Sequence, residues 1–204
     1  MDLSAPLASF INNLDTVALR VIARSGAELT GRQVARLAGT GTPANIRLSL
    51  LRLVDIGLVR SVPAPHATMY SANRAHILWP AVEIAMNARQ ELNRRIAVFA
   101  DTVAPEGVTV ALYGSVARGD STGKSDIDLL VVFPDDVALD DSDEFVTGLR
   151  EEVQLWSGND AQIYDLTESA LARQREEGDP IVDSWAADGI VLAGDSLLGM
   201  REKQ

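Results

Sequence analysis

The stretch Val108–Phe133, VTVALYGSVARGDSTGKSDIDLLVVF, constrains this chain most. An apolar, β-branched run ends at Tyr113, breaks at Gly114-Ser115, crosses a polar segment and re-emerges as Ser125-Asp-Ile-Asp-Leu-Leu-Val-Val-Phe133. This pattern predicts a strand, a turn, a short polar helix or loop, and a second strand. Side chains of a strand alternate between faces, so Asp126 and Asp128 project to one side while Ile127, Leu129 and Val131 point into a core. Two carboxylates held side by side repel each other unless cations fill the space between them. Mg²⁺ is the usual occupant of paired carboxylates that also face phosphates. Gly114 permits a tight turn and close approach of a ligand, and Ser115, with the free N–H groups behind it, would start a helix aimed at an anion. Phosphate on one side and metal on the other predict a nucleotide site.

At 204 residues the chain has room for one large or two small domains. No apolar run reaches the length of a bilayer span, and MDLSAPLASFINNLDTV lacks the basic start and apolar middle of a signal peptide. With no cysteine, disulfides and thiolate metal sites are excluded, and the expected compartment is the cytoplasm, away from any membrane. His66 and His76 are the only histidines, too few for a histidine-rich metal site. The net charge of −11 argues weakly against nucleic-acid binding, but it is unevenly spread. Residues 1–100 carry 11 Lys/Arg against 6 Asp/Glu, and residues 101–204 carry 7 against 23, the mark of two parts with different jobs.

In the first part, Phe10, Leu14, Val17, Leu19, Val21 and Ile22 recur near the helical period, predicting a helix over residues 1–24 that Ser25-Gly26 stops. Thr30-Gly-Arg-Gln33 is a capping box for a second, short helix. Thr42-Pro43 opens a third with Ile46, Leu50, Leu53 and Val54 on one face, and Gly57 ends it. A strand pair is expected around Pro63-Ala-Pro65, flanked by Arg60 and Arg74. Asn45, Arg47, Ser49 and Arg52 fall off the apolar face of the third helix, where they could reach base edges or phosphates of DNA. Docking of a protein partner is an equal reading of the same surface. Leu48 and Leu51 also lie outward, with no partner in view. Residues 77–103 read as one long helix, and Ala104-Pro105-Glu106-Gly107 as the domain boundary. Beyond Phe133, a helix through Phe145, Leu149 and Val153 precedes a third strand at Asp160–Leu166, and Gly189–Gly194 reads as a last short strand.

Gly114-Ser115, Gly119 and Ser125-Asp126-Ile127-Asp128 together resemble the signature of the DNA polymerase β-like nucleotidyltransferase superfamily, in its small bacterial MNT-type form. The order helix, turn, helix and strand pair, with the run Leu50–Val59, resembles small winged helix-turn-helix regulators of the ArsR and MarR type. The resemblances imply an α/β (α+β) fold: a winged helix-turn-helix over residues 1–76, a connecting helix over 77–104, and a nucleotidyltransferase-like domain with a mixed sheet flanked by helices over 105–204. They further imply metal-dependent transfer of a nucleoside monophosphate from a nucleoside triphosphate to an acceptor. Two Mg²⁺ ions would be held by Asp126 and Asp128, and the β- and γ-phosphates by Gly114 and Ser115. Gly119 and Ser125 would complete the nucleotide-binding segment, with Arg118 and Lys124 supplying charge. The superfamily usually adds a third carboxylate from a neighbouring strand. Alternation places Gln162 there, with Asp160 at the strand start and Asp165 after a shift of register as the alternatives. Two other functions fit the same resemblances: a transcription regulator that binds nucleotide as a ligand, and an antitoxin-like partner of a toxin. The winged domain and long helix are compatible with a homodimer.

Overall fold

Local capping sets the helices of the N-terminal part. The computed structural model describes residues 1–7, 13–198 and 200–202. Helix α1 (Leu14–Arg24) begins where the Asn13 side chain accepts hydrogen bonds from the Asp15 and Thr16 N–H groups. The helix expected over residues 1–24 is shorter: residues 1–5 are not helical, because Leu3 is drawn into the core of the second unit, and residues 8–12, Phe10 among them, lie outside the described residues. Strand β1 (Leu29–Thr30) leads into α2 (Gly31–Ala38), where Thr30 and Gln33 form the expected reciprocal capping box. Thr42 caps α3 (Pro43–Asp55) with proline in its first turn. Strands β2 (Val59–Ala64) and β3 (Ala67–Ala72) form an antiparallel hairpin, and β1 adds to β3, giving a sheet of order β1-β3-β2. Ile22, Val34, Ile46, Leu50, Leu53 and Tyr70 fill the core beneath these elements.

The chain divides into two units: Ala5–Asn87, and Met1–Ser4 with Ala88–Gln204. The helix read as continuous from residue 77 is two helices, α4 (Trp79–Met86) and α5 (Ala88–Val103). Asn87, at φ −100° and ψ 13°, departs from helical geometry between them. Trp79 and Val82 of α4 join the core of the first unit, and Leu92, Ile96 and Ala100 of α5 join that of the second.

In the second unit, β4 (Thr109–Tyr113), α6 (Gly114–Arg118) and β5 (Ile127–Phe133) form the strand–turn–strand predicted from the sequence. Helix α7 (Leu139–Ser157) starts within the acidic run, where Asp140 and Asp141 favour its N-terminus, and stops at Gly158 in the left-handed conformation. Next come β6 (Ala161–Thr167), α8 (Glu168–Glu176), α9 (Pro180–Asp188), β7 (Ile190–Ala193) and β8 (Arg201–Glu202). The sheet is mixed, with order β6-β5-β4-β7-β8: β5 is antiparallel to β4 and parallel to β6. One face carries Ile127, Leu129, Val131 and Phe133 against α5 and α7. The other carries Ala111, Leu130 and Val132 against Leu171 of α8 and Val182 and Trp185 of α9. Both faces are covered, which explains why β5 reads as a nearly continuous apolar run after Asp128.

Candidate functional site

At the N-terminal end of β5 the covered faces give way to polar side chains. Asp128 is half-buried on the face of Leu130 and Val132, while Asp126 is exposed just before the strand. Burial first, and then the charge of Asp126, push the Asp128 carboxyl above the ordinary carboxylate range, with Arg118 acting in the opposite sense. Gly114 sits where β4 ends, with φ +69°. A Cβ there would overlap Asp128 Oδ2, so glycine is required both by the backbone angle and by the carboxylate lying against it.

Strand register brings two further side chains to Asp128. Gln162 of β6 is its partner in the parallel pair, and Tyr113 of β4 is its partner in the antiparallel pair. Register partners share a face, so Gln162, Asp128 and Tyr113 form one row across the sheet. Tyr113 is half-buried and meets the Trp185 ring edge-on at 6.2 Å. Burial and the nearby Asp128 charge raise its phenol above the ordinary tyrosine value. The sequence reading did not single out Tyr113; only the register shows that it stands opposite Asp128.

The loop between α6 and β5 is tied by its own side chains. Ser125 Oγ accepts from Thr122 N–H at 2.9 Å, so this hydroxyl shapes the loop. Asn159, 7 % exposed, donates to the Ser125 carbonyl at 2.8 Å, and Ile127 N–H donates to the Asp160 carbonyl at 2.9 Å. These bonds fix the backbone on both sides of Asp126. From the chain start, Met1 N donates to Asn159 Oδ1, and the Ser4 and Ser121 hydroxyls meet at 2.8 Å. Gly119, at φ +82°, ends α6, and Arg89 donates to the Val116 carbonyl at 3.3 Å. Lys124 is exposed. Arg118 is engaged within the protein: it pairs with Asp188 at 2.5 Å and with Asp120 at 3.3 Å.

The two alternative acids differ in placement, Asp160 at the start of β6 beside Ile127 and Asp165 within the strand. The Asp160 carboxylate accepts from Gln154 of α7 at 3.1 Å. Asp165 is in register with core residue Val131, on the face opposite Asp128. Among the described residues no group of three or more His, Cys, Asp or Glu side chains comes together to hold a metal.

The four polar residues expected on the outside of α3 separate into two pairs. Asn45 and Arg47 are exposed, whereas Ser49 is fully buried and does not reach outward, because its turn of the helix packs with Ile46, Leu50 and Leu53. Arg52 is held by Asp15 of α1, with Nε at 2.9 Å from one carboxylate oxygen and the terminal nitrogen at 2.5 Å from the other. Leu48 and Leu51 are 51 % and 43 % exposed. No helix among the described residues is long and apolar enough to cross a membrane.

A family model described as a nucleotidyltransferase domain matches residues 94–180, a segment that contains Gly114, Asp126, Asp128 and Gln162. No curated protein matches the chain. Among solved structures, a toxin–antitoxin complex with AMP-PNP is 20 % identical, covering 51 % of this chain and 74 % of its own, with TM-score 0.37. TrmBL2, an archaeal chromatin protein solved in a DNA-binding study, is 18 % identical, covering 91 % of this chain and 73 % of its own, with TM-score 0.31.

Proposed function

We propose that the face bearing Asp126 and Asp128 is the active site of a nucleotidyltransferase, which binds a nucleoside triphosphate with magnesium and passes its nucleoside monophosphate to an acceptor hydroxyl. The observation that carries this reading is the Asp128 carboxylate packed against the Gly114 turn, with Asp126 two residues before it, inside the segment that matches the family model. In the reaction the acceptor oxygen forms a bond to the α-phosphorus while the bond from that phosphorus to the bridging oxygen breaks. Pyrophosphate leaves with the electron pair, and the acceptor proton is released. Asp126 and Asp128 fit a divalent cation: both are carboxylates, they stand close to each other, and one is partly desolvated. When bound, magnesium supplies charge that polarises the phosphates and offsets the developing negative charge of the leaving group. Gly114 lets the Asp128 carboxylate lie against the backbone turn, Ser115 stands in the first turn of α6 just after it, and exposed Lys124 adds positive charge. Arg118 would contribute less, because Asp188 and Asp120 already take much of its hydrogen-bonding capacity.

Thermal unfolding with each of the four nucleoside triphosphates, with and without Mg²⁺, tests this reading. A ligand confined to the folded state raises stability by about 2.7 kcal/mol at a hundred times its dissociation constant. The expected result is a Mg²⁺-dependent rise for the native chain that disappears in Asp126→Asn/Asp128→Asn. No rise with any triphosphate would refute it.

For the N-terminal unit we infer a winged helix-turn-helix, supported by the order α2, α3, β2–β3 hairpin. Two exposed leucines on α3 favour a protein partner as its ligand, since apolar side chains gain from leaving water and phosphates offer them nothing. Asn45 and Arg47 remain available for DNA. Binding to DNA that weakens steeply with salt would speak for nucleic acid, and no binding at low salt would leave the protein partner.

A further inference from the structure

The row across the sheet at Asp128 contains a single carboxylate between two neutral side chains. Gln162 lies on one side through the parallel pairing and Tyr113 on the other through the antiparallel pairing. A carboxamide is a neutral, weak metal ligand, and a phenol is uncharged near pH 7. The acids nearest in sequence to Gln162 do not compensate. Asp160 is engaged by Gln154, and Asp165 belongs to the opposite face. Magnesium takes an octahedral shell of carboxylate oxygens, phosphate oxygens and water, so Asp126 and Asp128 with a triphosphate furnish the anionic ligands for one ion. A second ion would need a further carboxylate on the same face. The position on β6 beside Asp128 is occupied by Gln162.

Resting on the reading that this face takes a nucleoside triphosphate, we propose that the site binds one divalent cation with its nucleotide rather than two, and that Gln162 sets this number. Such a site retains its triphosphate more readily than it turns it over. Gln162 offers the acceptor neither an anionic ligand for a second cation nor a base, because a carboxamide cannot accept a proton near pH 7. The chain is then poised between a slow transferase and a nucleotide-binding protein, and a single side chain on the edge strand β6 separates the two.

Equilibrium dialysis of the full chain measures the ratio directly. Mn²⁺ and each β,γ-imido nucleoside triphosphate in turn are placed on both sides of the membrane, and the excess of each on the protein side is determined. The expected ratio of excess Mn²⁺ to excess nucleotide is one for the native chain and two for Gln162→Asp, with Gln162→Glu as a second acidic variant. Gln162 is exposed, so neither substitution disturbs a packed core. A native ratio of two overturns the inference while leaving the triphosphate reading in place. So does a ratio of one in both acidic variants. No excess nucleotide on the protein side overturns the triphosphate reading itself, and the inference falls with it.

Discussion

Strand β5 and helix α3 each present polar groups beside apolar ones, and they differ in how far the sequence predicts what is presented. On β5 the period is two, so Ile127 and Leu129 are buried on one face and Asp128 lies on the other. On α3 each residue turns by about 100° from the one before, and the boundary between inside and outside is set by whatever packs against it. Ser49 and Leu50 are both fully buried, while their neighbours Leu48 and Leu51 are exposed. Polarity alone would have placed Ser49 outside and the leucines inside. The strand carries its burial pattern in its own geometry, and the helix receives it from its neighbours.

Alanine substitution sharpens this contrast most. Leu50→Ala on α3 and Leu129→Ala on β5 both empty fully buried positions and should each cost about 2–5 kcal/mol. Leu48→Ala and Leu51→Ala, adjacent in sequence to buried positions, should stay within about 0.5 kcal/mol. Urea unfolding followed by tryptophan fluorescence reads both units, because Trp79 is buried in the first and Trp185 in the second. Equal costs for Leu48 and Leu50 would mean that the outer face of α3 is already covered in solution.

Gly114→Ala comes next. It forces an L-residue to φ +69° and pushes a methyl group onto Asp128 Oδ2. The backbone penalty alone is about 1–2 kcal/mol, and the Mg²⁺-dependent stabilisation by triphosphate should be lost with it. Retained nucleotide stabilisation would separate Asp128 from the binding site.

Thr30→Ala removes one half of a reciprocal cap on α2 and should cost about 1 kcal/mol by urea unfolding. This effect depends on residues three apart and tests the locally encoded part of the helical unit. A cost near zero would indicate that packing, rather than the cap, holds the start of α2.

The smallest effect is expected for the pair between Asp15 and Arg52. The hydrogen bond from Arg52 holds the Asp15 carboxyl below its ordinary value of 3.8. Because the folded value is the depressed one, the stabilisation is fully present above the ordinary carboxylate range and disappears as pH falls through the folded value. The stability of the native chain should therefore decline more than that of Asp15→Asn between about pH 5 and about pH 2. Parallel pH profiles for the two proteins would show that the pair contributes nothing.

Much of the fold was legible because its signals are local. The capping box at Thr30 and Gln33, the Thr42-Pro43 start of α3 and the break at Gly114 each depend on residues within one turn of one another. One long helix was expected where α4 and α5 stand, since the apolar period runs through Asn87 without showing that its two halves enter different cores. Arg52 was read as a free cation because its partner, Asp15, is 37 residues away. At the site, the Gly114 turn and the order of β4 and β5 could be read directly from the stretch Val108–Phe133. The neighbours of Asp128 could not: Gln162 was placed only by counting along an isolated strand, and Tyr113 was not singled out.

The sequence by itself determined where strands and helices begin, which residues of β5 point together, and that two carboxylates follow a glycine turn. These depend on backbone geometry and on contacts a few residues apart. Only the tertiary structure decided that Gln162 and Tyr113 flank Asp128, that Asp165 belongs to the other face, and that Ser49 is buried. Those outcomes depend on which remote segments pair and in what register. A slip of one residue moves every side chain of a strand to the opposite face, and packing of the buried faces sets the register.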